Sequence, residues 1–411
     1  MWLVIAILFL VYTNYIERKN YRFPVITPMN LLCLPTLVLM LFSYPLEKYV
    51  GYLAVSQKAV SFFVYCIFFF WVGGLLCLKV ETKRSVSLYR KEFNTHAVPT
   101  TLLIIICGIF LLILIANLNQ ILGNRTLFQI EDQEFAQNGI VGHVGELIVF
   151  FIIYYIGSFK EESFKTNKII AITLLVILIG LKILMSVKAQ AVIPFVAGFL
   201  FLIMRGYIKL QAKSLIIGAV SVFALFTIPA VLFNTEDDSI DYVMSYFLWY
   251  LYAGISGLTG FLNENPIINY GECPEILIRF FQNVYHTILH DGIIVKSGTI
   301  GGYAAIYTDK AAFPHNSNVQ MLFGEVLMNA GFFITAIYFI IVGYISHVIF
   351  LRYKRHLMLT ILYAYWGAGL VMSFFSSYIL GQPFYEMCFF TYILYLIAKN
   401  SKLDKKLLKS A

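Results

Sequence analysis

Charge is what this sequence has least of. Asp, Glu, Lys and Arg make up only 13% of its 411 residues, against about a quarter in ordinary soluble domains. That shortfall excludes a water-soluble globular fold. Cysteine is sparse as well. Of Cys33, Cys66, Cys77, Cys107, Cys273 and Cys388, only Cys273 falls in a long loop, so they read as small buried hydrophobes and not as a disulfide framework. No internal repeat or low-complexity segment stands out, which leaves a transporter built from inverted repeats without support. A basic leader is missing too: residues 1–15 are apolar, and Arg18, Lys19 and Arg22 come after them, the reverse of a cleaved secretory signal.

What is present is apolar length. Hydrophobic residues make up 60% of the chain and aromatics 17%, with a mean hydropathy of +0.80. They gather in stretches of roughly twenty, the length that crosses ~30 Å of hydrocarbon as a helix. Helix is required there because lipid offers no partner to an exposed backbone. The stretches fall near 2–16, 25–46, 59–78, 98–117, 143–159, 169–187, 190–204, 215–233, 319–350, 357–377 and 383–398. They predict an all-α polytopic membrane protein of about eleven transmembrane helices, a single integral membrane domain over 1–411.

A net charge of +8 would suit nucleic acid if it formed one patch, but it does not. Of the 30 basic residues, 22 flank alternate spans, from Arg18, Lys19 and Arg22 through Arg352, Lys354 and Arg355 to the tail beyond Lys399. Only Glu17, Glu81, Glu92, Glu161, Glu162 and Asp404 of the acidic residues share that side. The positive-inside rule then puts the N-terminus outside and the C-terminus in the cytoplasm, with no nucleic-acid partner.

Two outer connections are long. The smaller, 118–142, holds Arg125 and the acidic group Glu131, Asp132 and Glu134; the larger is 234–318. Within the larger, 244–262 is apolar enough to span, yet a crossing there would move the later basic clusters outside. It is therefore read as re-entrant or interfacial. Pro274 then suits a first helical position. Arg279, Asn283, His286 and His290 follow on one stripe, with Leu277, Phe280, Phe281, Val284 and Ile288 opposite. This is an amphipathic helix for the outer membrane surface, its polar stripe facing water or a ligand.

Several ionisable groups fall in or beside apolar spans: His143, Glu146, Lys182, Lys188 and Glu325. The lysines stand near an outer helix end, where they can snorkel to the interface. His143 and Glu146 suit a helix start. Glu325 lies deeper and calls for a cation as partner.

The most informative segment is Phe313-Pro314-His315-Asn316-Ser317-Asn318, followed by Glu325 and Gly331. Taken alone, His315 reads as a loop-end residue capping the next helix. With the residues around it, the segment resembles the last large periplasmic loop of bacterial O-antigen polymerases and O-antigen ligases. The similarity covers 313–331 as motif and most of the chain as topology. It implies a GT-C-like glycosyltransferase of the bacterial inner membrane, inverting, independent of metal and without a cofactor. Such an enzyme polymerises lipid-linked repeat units at the outer face, with a polyprenyl-pyrophosphate-linked oligosaccharide as donor. Ligase-type glycan transfer is the alternative reading, and a non-enzymatic flippase or transporter of lipid-linked glycan is a further one. Beside the bilayer, the resemblance admits a chain-length regulator as partner.

The same resemblance assigns residues. His315 matches the loop histidine and Arg279 one of two outward arginines. Where the second is expected, Ser186-Val187-Lys188-Ala189-Gln190 offers Lys188, which keeps the charge but loses the two-pronged geometry of arginine. Asn316 would orient the imidazole or bind sugar hydroxyls. Arg125 is either a further glycan or phosphate contact or a solvated loop arginine. Glu325 would pair with a cation of the site. The chemistry agrees: cations stabilise a pyrophosphate leaving group, and an imidazole with a pKa of about 6.5 accepts a hydroxyl proton at neutral pH. Metal-dependent membrane glycosyltransferases tend to carry an acidic pair in the first outer loop, where this chain has only Glu47 beside Lys48. The run Glu236-Asp237-Asp238 with Asp241 opens the large loop and reads as solvated.

Cysteines introduced at Lys296 and at Lys354 are expected to react with an impermeant reagent from opposite sides of the membrane. Labelling of both from one side would contradict the orientation.

Overall fold

The computed structural model describes residues 1–21, 24–85, 100–116, 140–158, 188–211, 240–264, 274–289, 304–305, 316–317, 319 and 321–400 except 377, with scattered residues in 173–180 and 213–224. The helices are α1 (Trp2–Tyr21), α2 (Pro28–Tyr49), α3 (Gln57–Ser85), α4 (Thr100–Ala116), α5 (Ile140–Ser158), α6 (Lys188–Met204), α7 (Ile240–Glu264), α8 (Arg279–Leu289), α9 (Met321–Arg352), α10 (Leu357–Val371) and α11 (Gln382–Asn400). Four spans among the described residues are long and apolar enough to cross a membrane: Pro28–Tyr49, Gln57–Val80, Met321–Arg355 and Leu357–Phe374. Shorter apolar helices lie at Ile104–Ala116, Leu147–Ile156, Val192–Met204 and Phe384–Ile397. The chain is an all-α membrane protein. Its strand content among the described residues is one antiparallel pairing of Ala304 with Ser317 and Ala305 with Asn316.

The chain forms two compact units. The first comprises Met1–Ser87, Met244–Leu351 and Gly369–Tyr385; the second comprises Leu88–Val243, Arg352–Ala368 and Glu386–Ala411.

In the first unit, α2 shows how the sequence selects faces. Thr27 caps it by accepting from the Asn30 amide at 3.3 Å, and Pro28 supplies a first residue that needs no donor. Met29, Cys33, Thr36, Met40 and Ser43 recur at helical spacing and are buried, whereas Leu34, Val38, Leu41 and Phe42 are exposed. An apolar stripe left outward on an apolar helix is a lipid face. On α1 the inward stripe is Ala6, Leu10, Thr13 and Glu17. Glu17 therefore turns into the helix packing, whereas its sequence neighbours Arg18 and Lys19 are exposed. Asn14 on α1 and Asn30 on α2 exchange reciprocal amide hydrogen bonds of 2.7 Å, a pairing that satisfies both side chains where water is absent.

α3 and α9 approach each other closely in this unit. A Cβ at Gly73 would overlap the Ile340 carbonyl, and one at Gly343 would overlap the Phe70 carbonyl. Backbone meets backbone there because neither residue has a side chain, the small-residue packing used by helices in lipid.

The second half of α7 is locked by the connection 50–56. Ser256 Oγ donates to the Leu53 carbonyl at 2.9 Å, and the Ser56 amide donates to Thr259 Oγ1 at 3.2 Å. Gly254 packs on the backbone of Phe374 and Phe375. Tyr52 is covered in that connection, and burial pushes its phenol up to about 12. The segment read as re-entrant or interfacial lies within one helix of 25 residues, about 37 Å long at 1.5 Å per residue. Its Ser and Thr hydroxyls hold the connection 50–56, a pairing that the hydropathy of 244–262 does not encode.

In the second unit α4 packs on α5 and α5 on α6. Phe110 of α4, Phe150 and Phe151 of α5 and Phe390 of α11 form an aromatic cluster with ring centroids 5.3–6.3 Å apart, spacings at which edge-to-face contacts are favourable. Gly198 lets α6 approach α5: a Cβ there would stand 2.9 Å from Ile156 Cδ1.

The glycines supply a matched test. Gly108 on α4 has nothing within 4 Å of an added Cβ. Gly108→Ala is expected to leave stability unchanged or raise it by up to ~1 kcal/mol through helix propensity. Gly73→Ala is expected to cost roughly 1–3 kcal/mol because the helices must part. Thermal unfolding of the detergent-purified variants reads both, and equal midpoints would contradict the close crossing.

Candidate functional site on the folded-back helix

Residues 319–350 read in sequence as one span. The structure breaks it at Gly331, which takes φ 69° and ψ 176°, a backbone region open to glycine and closed to nearly every other residue. The result is a hairpin. Phe323 and Phe339 would lie ~24 Å apart on a straight helix, yet their rings stack with centroids 5.4 Å apart. Phe63 of α3 closes on Phe323 edge-on at 5.1 Å. The turn itself is held by the Thr335 hydroxyl donating to the Gly331 carbonyl at 2.6 Å and by Tyr65 Oη donating to the Phe332 carbonyl at 2.9 Å. A short helix, 321–330, is thereby folded back along the long limb 332–352.

This fold-back decides where Glu325 goes. It is half-buried on the short limb, and Asn329, one turn later, donates from Nδ2 to its carbonyl at 2.7 Å. Tyr338, on the long limb, lies within electrostatic reach of both Glu325 and Tyr385, the latter in the first turn of α11. Tyr385 in turn meets Phe281 of α8, ring centroids 6.2 Å apart. One ring contact thus joins α8 to Tyr385, and Tyr338 lies in electrostatic reach of both Tyr385 and Glu325. Three buried polar atoms, Gln282 Oε1, Asn329 Oδ1 and Tyr338 Oη, have no hydrogen-bond partner among the described residues. Buried acceptors and hydroxyls left open in this way cost about 1–3 kcal/mol each.

The amphipathic helix α8 leaves its apolar stripe outward. Ile278, Phe281, Val284, Tyr285 and Leu289 are exposed, whereas Gln282, Asn283 and His286 are half-buried. An exposed apolar stripe with a half-buried polar one is the arrangement of an interfacial helix with lipid beneath it.

Of the residues singled out in sequence, Arg279 is the first residue of α8, whose Phe281 meets Tyr385, and Glu325 lies within electrostatic reach of Tyr338. Asn316 forms the strand pairing with Ala305. Lys188 is the first residue of α6, in the second unit. His315 and Arg125 lie outside the described residues. Asn329, Tyr338, Tyr385 and Gln282 escaped the sequence reading. Asn329 was within reach as the residue one turn after Glu325. Tyr338 and Tyr385 are hidden among 28 tyrosines until the hairpin closes.

No curated protein and no solved structure matches the chain. The sequence model of one family matches residues 51–404, nearly all of the chain and every helix from α3 to α11, and the chain therefore belongs to the family of unknown function DUF6337.

Proposed function

We propose that this protein polymerises lipid-linked oligosaccharide repeat units, transferring a glycan with inversion from a polyprenyl-pyrophosphate donor at the outer face of a bacterial inner membrane. In this reading about eleven helices cross the bilayer, the N-terminus is outside and the C-terminus is cytoplasmic. The fold is of the GT-C kind, and 234–318 is an outer loop. One structural observation supports it most: Phe281, two residues after Arg279 on α8, meets Tyr385, and Tyr385 and Glu325 both lie within electrostatic reach of Tyr338. The helix that begins at Arg279 and the helix that carries Glu325 are 46 positions apart in sequence.

The chemistry follows from the donor. Its pyrophosphate leaves from the membrane surface carrying several charges. An interfacial helix such as α8, apolar side toward lipid, is suited to hold a cation at that depth. Arg279, at its first residue, is assigned to the pyrophosphate oxygens, where a planar guanidinium holds two at once. Glu325 balances that cation. His315 takes the proton of the acceptor hydroxyl as it attacks the anomeric carbon, and Asn316 orients the imidazole. Asn329, Tyr338 and Gln282 offer open hydrogen-bonding atoms to sugar hydroxyls.

Purified protein supplied with lipid-linked repeat units tests this directly. His315→Ala is expected to lower turnover by ~10²–10⁴-fold, the usual contribution of a general base. Arg279→Ala is expected to abolish polymer and Arg279→Lys to restore part of it. Activity is expected to persist in chelator. Loss in EDTA with recovery on adding magnesium or manganese would contradict the metal-free reaction. Normal polymer from Arg279→Ala at normal protein level would contradict the phosphate assignment.

A further inference from the structure

The turn between α9 and α10 gathers charge that the proposed reaction does not use. Arg352 ends α9, Tyr353–Arg355 form a 3₁₀ turn, and His356 precedes α10. Arginine, lysine, arginine and histidine thus stand within five successive positions. Contacts inside the second unit hold this turn in one shape. The Thr360 hydroxyl donates to the Tyr353 carbonyl at 2.8 Å, and His356 Nδ1 accepts from the Met358 amide at 3.2 Å. The Tyr353 ring stacks on Tyr363 with centroids 5.3 Å apart, and the His356 ring meets Tyr395 of α11 edge-on at 5.0 Å.

These cations are not a solvated flank. On α1 such a flank is formed by Arg18 and Lys19, and both are exposed. Arg352, Lys354 and Arg355 are half-buried instead, His356 is buried, and the Nε atoms of both arginines are shielded from solvent. Arg355 Nε has no hydrogen-bond partner among the described residues. Arg352 and Arg355 are three positions apart, the spacing at which side chains align on a 3₁₀ turn. Glu386 is the one carboxylate whose side chain is described in the second unit. It precedes Tyr395 by nine positions on α11, ~13 Å along the helix axis. Half-buried cations held together in this way are costly unless an anion faces them.

The surface beside the turn selects the kind of anion. On α11, Phe389, Tyr392, Ile393, Leu396 and Ile397 are exposed, an outward apolar face suited to acyl chains. The Tyr392 ring lies 5.8 Å from that of Tyr395, so Tyr395 links this face to His356. Tyrosines gather where acyl chain gives way to headgroup, and basic pockets between helices at that depth take anionic headgroups. We propose that the turn 352–356 binds the phosphate of an anionic phospholipid whose acyl chains lie along the exposed face of α11. Arg352 and Arg355 take the phosphate oxygens, since a planar guanidinium holds two at once, and Lys354 adds charge beside them.

Thermal unfolding of the detergent-purified full chain tests the site. Midpoints are compared in micelles doped with phosphatidylglycerol, in micelles doped with phosphatidylcholine, and with inorganic phosphate in place of lipid. Phosphatidylglycerol is expected to raise the midpoint, and the other two are not. Arg352→Gln with Arg355→Gln is expected to weaken phosphatidylglycerol binding, read from the lipid concentration at half the shift, roughly fivefold for each charge removed. Arg18→Gln with Lys19→Gln, on the exposed flank, is expected to leave that concentration unchanged. An equal shift from phosphatidylcholine or from inorganic phosphate would overturn the proposal. Undiminished binding in the Arg352 and Arg355 variant would overturn it too, as would an equal loss in the Arg18 and Lys19 variant. If the arginine double variant does not accumulate, Arg355→Lys replaces it, keeping the charge without the two-pronged geometry. It is expected to weaken binding severalfold, and binding equal to the wild type's would overturn the proposal equally.

Discussion

The separation of α3 and α9 is the constraint on which the first unit depends. Gly73 and Gly343 allow their backbones to touch, and that contact fixes what can pack above and below it. On one side Phe63 and Tyr65 of α3 reach the limbs of the hairpin, through Phe323 and Phe332. On the other, Phe70 and Gly74 close around His347. A larger residue at the crossing would open both ends together, because a packed core transmits displacement instead of absorbing it.

In such a core, polar side chains are mostly satisfied within their own helix. Thr36, Thr335, Ser346, Ser373 and Thr391 all donate to the carbonyl four residues back, so none needs a ligand. The informative groups are those that do not. Asn329 and Tyr338 leave open atoms on the hairpin, Gln282 leaves one on α8, and Glu17 and His347 leave them at the opposite end of the α3–α9 contact. The first three are the ones the proposed glycan chemistry uses.

Much of the architecture was legible. Apolar stretches at 25–46, 59–78, 190–204 and 383–398 correspond to α2, α3, α6 and α11, because a spanning helix must be apolar along its length. The amphipathic pattern after Pro274 corresponds to α8, whose apolar stripe is exposed. The fold-back at Gly331 was not legible. Both limbs are apolar, and hydropathy averages across the single residue whose φ reverses the chain. Glu325 was therefore read as buried in a span, when its neighbours are set by a turn six residues later. Glu17 was hidden for a related reason. Adjacent Arg18 and Lys19 suggested a solvated flank, while helical phase turns Glu17 inward.

The fold-back is the claim that most of this account rests on, and a disulfide reads it most directly. With cysteines at Phe323 and Phe339 in an otherwise cysteine-free chain, mild oxidation is expected to join the two positions within one molecule, since the native rings stack at 5.4 Å. The joined peptide is identified by mass spectrometry after digestion. A straight helix would hold the two sites ~24 Å apart, far beyond the reach of a disulfide. Absence of the cross-link in folded protein, with both thiols still alkylatable, would contradict the hairpin and the site built on it.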